Sequence, residues 1–267
     1  MADYSEYKNK GGPVLEPYFH LDGNKVVASQ HTAGPWDPTM QHGGAPTALI
    51  AHIADTIPSD VPMMISRLTI DMKRPIPVGE LDIKTEVTRK GRNILAADIS
   101  LWSGEKEVCR GAILKIREAE FELPETVRPP EVYYPPGDTK HDVVRFKGFN
   151  DGVEIFDALD KPAHARRAAW FHISRPFFGD QDTTPIMRAA ATGDYCNGFG
   201  SGLDFNKWTF INADLTIHLA RKPEGERIML AANAWIGPDG RGLGYGELAD
   251  ERGFFGRATQ CLVIGKR

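Results

Sequence analysis

The chain has 267 residues, 41% of them hydrophobic and 25% charged, which suits two domains of about 130 residues or one large domain with a real core. A net charge of −4 argues against a nucleic-acid-binding surface, and no apolar run approaches the ~20 residues needed to cross a membrane. The cysteines and histidines lack metal-ligand spacing, so we expect no metal site. The chain begins acidic and polar, so we expect no signal peptide and a cytoplasmic protein.

The first predicted element is a helix that begins near Pro46 and ends before Pro58. Proline is favoured in the first turn of a helix, and a later proline cannot continue one. Between them lies an apolar stripe at helical spacing, formed by Leu49, Ile50, Ile53 and Ile57. Three strands are predicted next, over residues 81–88, 94–102 and 107–116.

A proline-rich segment separates the two halves of the chain. Five prolines fall within 13 residues between Pro124 and Pro136, which excludes a helix or a central strand and favours an extended tether. We therefore predict an N-terminal domain over residues 1–122, a linker over residues 123–140 and a C-terminal domain over residues 141–267.

The second half repeats the order of the first, with one helix followed by strands. Thr183 or Thr184 is the predicted N-cap of a helix that begins at Pro185, with an inner stripe of Ile186, Ala189, Ala190 and Gly193. Residues 211–219 alternate between apolar and polar, which predicts a strand. Further strands are predicted over residues 229–236, 244–248 and 255–264. One helix followed by antiparallel strands predicts an α+β unit in each half, the helix lying across a curled sheet.

The two halves also share sequence. Residues 68–74 reappear as residues 215–221, an offset of 215 − 68 = 147. The helix-borne acids Asp55 and Asp194 correspond as well, at an offset of 194 − 55 = 139. Repetition at this length predicts two similar folds. Their sheet edges could pair to make one continuous sheet with fewer exposed edges.

The acid is shared, but the residues predicted around it differ between the halves. At the offset of 147, Asn212 corresponds to Ile65 and Gln260 to Ile113. Helical spacing puts the Asp194 carboxylate on or beside the buried stripe, where it needs hydrogen-bond donors such as these two amides. A carboxylate flanked by neutral amides can hold and polarise a water molecule, which predicts a hydrolytic site. The alternative is that Asp194 only ends its helix.

The two amides are not on the same predicted face. Alternation along residues 211–219 puts Asn212 on the polar face of its strand, whereas Gln260 shares a face with apolar residues. They can therefore meet only across a β-bulge or at the end of the sheet.

A second candidate site lies at the start of the first helix. His42 precedes Gly43 and Gly44, and a helix start can bind an anion or a carbonyl oxygen, so these residues are predicted to bind substrate. Packing or capping by His42 is the alternative. Cys196, two residues after Asp194, is interpreted as a small core residue and not as a nucleophile.

Four motifs stand together in this chain: His42-Gly43-Gly44 before a helix, the Leu-Thr-Ile strand followed by Arg74-Pro75, Asn212-Ala213-Asp214-Leu215-Thr216, and Gly256-Arg257-Ala258-Thr259-Gln260. They resemble those of the double-hotdog acyl-CoA thioesterases, of the thioesterase II type, over nearly the whole chain. The resemblance implies an α+β fold of tandem (double) hotdogs, each half a long helix wrapped by a curled antiparallel sheet. It also implies that the protein hydrolyses an acyl-CoA to a free acid and CoA and needs no cofactor. A role in fatty acid metabolism and a homodimeric state are further expectations from the resemblance.

The resemblance also implies roles for individual residues. The water-holding Asp and Gln of the family fall on Asp194 and Gln260, and its Thr or Ser position falls on Asn212, a departure from the pattern. Residues 192–197 are similar to the signature of hotdog enoyl-CoA hydratases, but the histidine that those enzymes need is replaced here by Phe199, which makes the hydratase the weaker alternative. A non-catalytic binder of acyl-CoA or another small molecule on the same fold is the remaining alternative.

Overall fold

The computed structural model describes residues 15–127, 132–140 and 147–267. Within these ranges the chain forms three α-helices and fourteen strands. The helices are α1 (Gly44–Thr56), α2 (Pro185–Gly193) and α3 (Cys196–Gly200). The strands are β1 (Phe19–Asp22), β2 (Lys25–Ala28), β3 (Met63–Asp71), β4 (Gly79–Lys90), β5 (Ile94–Ser103), β6 (Lys106–Arg117), β7 (Pro136–Lys140), β8 (Val153–Ala158), β9 (Arg167–Ile173), β10 (Trp208–Asn212), β11 (Asp214–Leu219), β12 (Arg227–Ile236), β13 (Arg241–Asp250) and β14 (Gly253–Lys266).

These strands form one large antiparallel sheet that runs through both halves of the chain. Its order is β1-β2-β4-β5-β6-β3-β11-β14-β13-β12-β9-β8-β7, and β10 pairs with β14. In the described residues the outer strands β1 and β7 do not pair with each other, so the sheet is not closed. No helix in these ranges is long and apolar enough to span a membrane.

The two copies of the repeated motif lie side by side at the centre of the sheet. β3 carries the first copy and pairs antiparallel with β11, which carries the second. Thr69 stands opposite Thr216, its counterpart at the offset of 147, and their hydroxyl oxygens are 3.3 Å apart. The predicted pairing of the two sheet edges is therefore confirmed.

α1 and α2 pack against each other and against one face of the sheet, which we call the inner face. Small residues allow their close approach, since a Cβ atom at Gly44 would lie 3.2 Å from the carbonyl oxygen of Ala191. One hydrophobic core beneath the helices contains residues of both halves.

The second half has two short helices in place of the single long one that the resemblance implies. α2 has nine residues and α3 only five, with Asp194 and Tyr195 between them. The N–H groups of Asp194 and Tyr195 bond to carbonyl oxygens three residues earlier, at 3.3 and 3.0 Å. This tighter, 3₁₀-type pattern ends the helix.

The first predicted helix and six of the predicted strands agree with the structure, apart from their ends. β4, β5 and β6 cover the three strands predicted for the first half, and β12, β13 and β14 cover the last three predicted for the second. Part of the proline-rich segment forms β7, an edge strand, which is where proline is tolerated. Residues 1–14, 128–131 and 141–146, which include part of the predicted linker and its end, lie outside the described residues.

The strand predicted over residues 211–219 is broken by a β-bulge at Ala213. Asn212 and Thr216 are 216 − 212 = 4 positions apart, but their partners on β14 are only 262 − 259 = 3 positions apart. The extra residue reverses the alternation of side chains. Asn212 therefore turns to the inner face, where Gln260 also lies buried, and the bulge is the alternative that the structure confirms.

The first half carries a bulge at the corresponding place. The register of β3 against β6 shifts between Ile65 and Arg67, at Ser66, and 213 − 147 = 66. Ile65 is buried, and so is Asn212, its counterpart in the second half. The bulge is thus a common feature of both halves, and only the residue that it turns inward differs.

A buried lysine stabilises the end of α1. Lys115 of β6 donates to the carbonyl oxygens of Ala54, Asp55 and Ile57 at 3.2, 3.1 and 3.0 Å. The last carbonyl groups of a helix have no partner within it, so the ammonium group caps this end. Burial lowers the pKa of Lys115. Leu262 is the counterpart of Lys115 in the second half, and it cannot donate a hydrogen bond. At that helix end the Gln260 amide donates to the carbonyl oxygen of Asp194 instead.

We expect Lys115→Met to lower the free energy of unfolding by about 1–3 kcal/mol, because it leaves buried carbonyl oxygens without donors. Chemical denaturation of the full chain measures this change. Lys106→Met, at the exposed start of β6, is the matched control and should stay within about 0.5 kcal/mol of the wild type. A Lys115 variant as stable as that control would contradict the capping role.

Candidate active site

Asp194, Asn212 and Gln260 lie together on the inner face of the sheet. Asp194 follows the last residue of α2 and is only 3% exposed. The side-chain amide of Asn212 donates to Asp194 Oδ1 at 2.8 Å. The amide of Gln260 donates to the backbone oxygen of Asp194 at 3.1 Å and lies 3.4 Å from Oδ1. The three residues singled out by the comparison of the two halves therefore form one hydrogen-bonded cluster.

A backbone group fixes the orientation of the Gln260 amide. The N–H of Asn197, in α3, donates to Gln260 Oε1 at 3.1 Å, which leaves the NH₂ group facing Asp194. Gly244 of β13 stands opposite Gln260, and a Cβ atom there would lie 3.4 Å from Oε1. α3, which the sequence did not predict as a separate helix, thus supports the site through its backbone.

His42, from the first half of the chain, reaches the same carboxylate. Its Nδ1 atom lies 3.1 Å from Asp194 Oδ2, and the Gly44 N–H donates to the same nitrogen at 3.0 Å. The imidazole is stacked on the ring of Phe149, 4.9 Å between centroids, and tilted against the ring of Tyr195 at 5.0 Å. Both carboxylate oxygens of Asp194 therefore have polar neighbours, one from each half.

Gly43 makes this approach sterically possible. It precedes α1, and a Cβ atom at this position would lie 2.5 Å from Asp194 Oδ1 and 2.9 Å from Oδ2. It would also lie 2.8 Å from the methyl group of Met72. No larger residue fits without moving the carboxylate, so the glycine pair of the sequence motif has a packing role in addition to any role in binding.

The cluster lies at the wall of a cavity of about 830 Å³ between the two halves. His42, Gly43, Asp194 and Asn212 line it. Much of the remaining lining is apolar, from Met40, Ile76, Phe199, Leu203, Phe205 and Phe210. Lys73 and Arg74 add a basic edge, and Lys73 is paired with Glu107 at 2.9 Å. The cavity can take an apolar group beside the carboxylate and an anionic group at its basic edge.

One wall of the cavity is a cluster of aromatic rings. Trp36 and Phe205 are stacked with their centroids 4.4 Å apart, and Phe210 meets Trp36 edge-on at 5.3 Å. The Arg267 guanidinium lies over Phe205 at 4.4 Å from its centroid. Sequence reasoning missed this wall, because Trp36 and Phe205 lie in irregular segments where no periodicity marks an inward-facing side chain.

The corresponding place in the first half is not a site of this kind. Asp55 is exposed, and Ile65 and Ile113 are buried in the hydrophobic core. The backbone oxygen of Asp55 accepts a hydrogen bond from Lys115. In the described part of the chain the repeat thus carries the acid–amide cluster once.

Two other residues near Asp194 are held in their neutral forms. Burial raises the pKa of the Tyr195 phenol well above its usual value, with Tyr18 and Asp194 adding to the effect. Burial and the nearby Asp194 also raise the pKa of the Cys196 thiol. A thiol that does not ionise is a poor nucleophile, which agrees with the interpretation of Cys196 as a core residue. In the described residues no group of histidines, cysteines and acids has the arrangement of a metal site.

The chain matches two models of one protein family. The N-terminal domain of acyl-CoA thioesterases matches residues 32–115, and the C-terminal domain matches residues 124–264. A comparison with curated proteins finds no match.

Solved structures with a similar fold cover almost the whole chain. A protein from Thermobifida fusca, provisionally assigned as a thioesterase II, is 16% identical, with a TM-score of 0.72 over 99% of this chain and 98% of that one. A provisionally assigned thioesterase from Novosphingobium aromaticivorans is 17% identical, with a TM-score of 0.68 over 93% and 98%. Acyl-CoA thioesterase II from Mycobacterium marinum is 13% identical, with a TM-score of 0.66 over 95% of each chain.

The fold is therefore that of the hotdog thioesterases. The C-terminal family model alone spans 264 − 124 + 1 = 141 of the 267 residues. This chain belongs to the acyl-CoA thioesterase family and is a thioester hydrolase.

Proposed function

We propose that the protein hydrolyses acyl-CoA thioesters to a free acid and CoA, using a water molecule held by Asp194, Asn212 and Gln260. The observation that carries the proposal is the buried Asp194 carboxylate, bonded to neutral amides beside a largely apolar cavity. Asn212 takes the place of the hydroxyl residue in the family pattern, and its NH₂ group supplies the donor that a hydroxyl would.

In this mechanism Asp194 is the general base. Water attacks the thioester carbonyl carbon while a proton passes to the carboxylate, and the carbon–sulfur bond then breaks. The negative charge that develops on the carbonyl oxygen needs a donor in place beforehand. The N–H of Gly43 suits this role, because it lies at the start of α1 beside the cavity and has no acceptor among the described residues. The N–H of Gly44 is engaged by His42.

The lining of the cavity supports a placement of the substrate. The acyl group lies against the aromatic wall of Trp36, Phe205 and Phe210, and burial of its methylene groups stabilises it by ~0.8 kcal/mol each. Lys73 and Arg74 lie where the anionic phosphates of CoA can approach. His42 and Gly43 contact the thioester between these two regions, whereas Gly44 is not among the residues that line the cavity and acts through its N–H on His42 Nδ1.

The domain arrangement is also proposed from these features. We infer a tandem (double) hotdog with domains over residues 1–122 and 141–267, joined by residues 123–140. The matching bulges at Ser66 and Ala213 and the pairing of β3 with β11 support two related units. A homodimer stays a prediction, which sedimentation analysis of the full chain would test.

Asp194→Asn should lower kcat/KM by about 10²–10⁴-fold, because the amide cannot accept the proton from water. Release of CoA is followed with a thiol reagent on acetyl-, hexanoyl-, palmitoyl- and phenylacetyl-CoA. Asp55→Asn is the matched control, since Asp55 is the repeat counterpart and its side chain is exposed. We expect that control to keep wild-type turnover. Equal turnover in both variants would contradict the assignment of Asp194, and tight binding of acyl-CoA without turnover by the wild type would indicate a binding protein.

Gly43→Ala should lower kcat by about 10²-fold, because its methyl group displaces the Asp194 carboxylate and small misplacements of catalytic groups are costly. A double-mutant comparison tests whether the effect runs through the carboxylate. In the Asp194→Asn background, Gly43→Ala should cost little more. A full additional loss in that background would show that Gly43 acts independently of Asp194.

A further inference from the structure

The Nδ1 atom of His42 lies between a hydrogen-bond donor and an acceptor. The Gly44 N–H points to it at 3.0 Å, and Asp194 Oδ2 lies 3.1 Å away. A neutral imidazole carries its proton on only one of its two nitrogens. With the proton on Nε2, Nδ1 accepts from Gly44. With the proton on Nδ1, the imidazole donates to Asp194. Both tautomers therefore have a partner in place.

Contacts on several sides hold the His42 ring in place. The backbone N–H of His42 donates to the Thr32 oxygen at 2.8 Å, and the ring lies against those of Phe149 and Tyr195. Since Nδ1 faces Asp194 and Gly44, the opposite edge of the ring, which carries Nε2, is left for contact with the cavity that His42 lines. Asp194 and Tyr195 are the titratable groups against this imidazole, and burial keeps the Tyr195 phenol neutral.

Hydrolysis of a thioester needs two proton transfers. One proton leaves the attacking water, and one reaches the departing thiolate. Asp194 can take the first proton. Of the side chains that contact its oxygens, Asn212 and Gln260 on Oδ1 and His42 on Oδ2, only the imidazole can act as an acid, and it also lines the cavity. On the Oδ2 side, the imidazole of His42 contacts both Asp194 and the cavity.

We propose that His42 is the general acid that protonates the departing thiolate, in a proton relay with Asp194. This inference rests on the proposed hydrolysis. The water oxygen bonds to the carbonyl carbon as its proton passes to Asp194 Oδ2. Collapse of the tetrahedral intermediate breaks the carbon–sulfur bond, the sulfur takes the Nε2 proton, and the proton on Asp194 passes to Nδ1. The imidazole ends neutral as the other tautomer, and exchange with solvent restores the first.

The test compares leaving groups of different basicity. An alkyl thiolate such as that of CoA is basic and benefits from an acid, whereas the thiolate of 4-nitrothiophenol departs readily without one. His42→Asn keeps an amide near the position of Nδ1 but removes the group at Nε2. His42→Gln is the second variant, and thermal unfolding with circular dichroism shows that each is folded.

For His42→Asn we expect a loss of about 10²–10⁴-fold in kcat with hexanoyl-CoA, but a loss below about 10-fold with the 4-nitrothiophenyl ester of hexanoic acid. An equal loss on both esters would show a positioning role only and would overturn the inference, as would an unchanged rate on hexanoyl-CoA. A folded wild type that hydrolyses neither ester would overturn the proposed function itself. A selective loss on hexanoyl-CoA supports both.

Discussion

The burial of one carboxylate between the two halves of the chain is the constraint on which the site depends. Asp194 lies in the core at the C-terminal end of α2, the end at which the helix dipole disfavours a negative charge. An ionised group in such a place is costly unless donors surround it. The features around it meet this requirement: the bulge that turns Asn212 inward, the backbone of α3 that orients Gln260, and the histidine that arrives from the first half.

A comparison with a second buried acid shows what is particular about these donors. Asp250 is also almost fully buried, but Arg221 holds both of its oxygens, at 2.6 and 2.5 Å. Hydrogen bonds from this guanidinium and from two backbone N–H groups outweigh the effect of burial and lower the pKa of Asp250. That acid is held as a permanent anion in a structural pair. The amides at Asp194 orient the carboxylate without pairing it with a permanent cation, which suits the general base that we propose.

The repeat explains how much of the fold and of the candidate site could be predicted from the sequence. The helices α1 and α2, the main strands and the set of Asp194, Asn212 and Gln260 follow from local periodicity and from comparison of the two halves, whereas α3 was not predicted. For the contact between Asn212 and Gln260, the sequence left two alternatives, a β-bulge or a meeting at the end of the sheet. It could not decide between them, because a bulge depends on the register of the partner strand. The contact between His42 and Asp194 joins residues 194 − 42 = 152 positions apart, and no local pattern reports a pairing of that kind.

The same framework holds a hydrophobic core in one half and the proposed site in the other. Each half has a bulge that turns one side chain under the end of its helix, and each has a strand residue beside it. Ile65 and Ile113 fill these places with apolar groups in the first half, and Lys115 caps the helix there. In the second half, amides take the first two places and Leu262 the third, and the Gln260 amide donates to the carbonyl oxygen of Asp194 at the helix end. Both helices end with an N–H group bonded to the carbonyl oxygen three residues earlier, Ile57 to Ala54 and Asp194 to Ala191, so the two ends differ in the groups around them and not in this turn. The same few positions therefore support a capped helix end and an apolar core in the first half, and in the second half a carboxylate held by neutral amides beside the cavity.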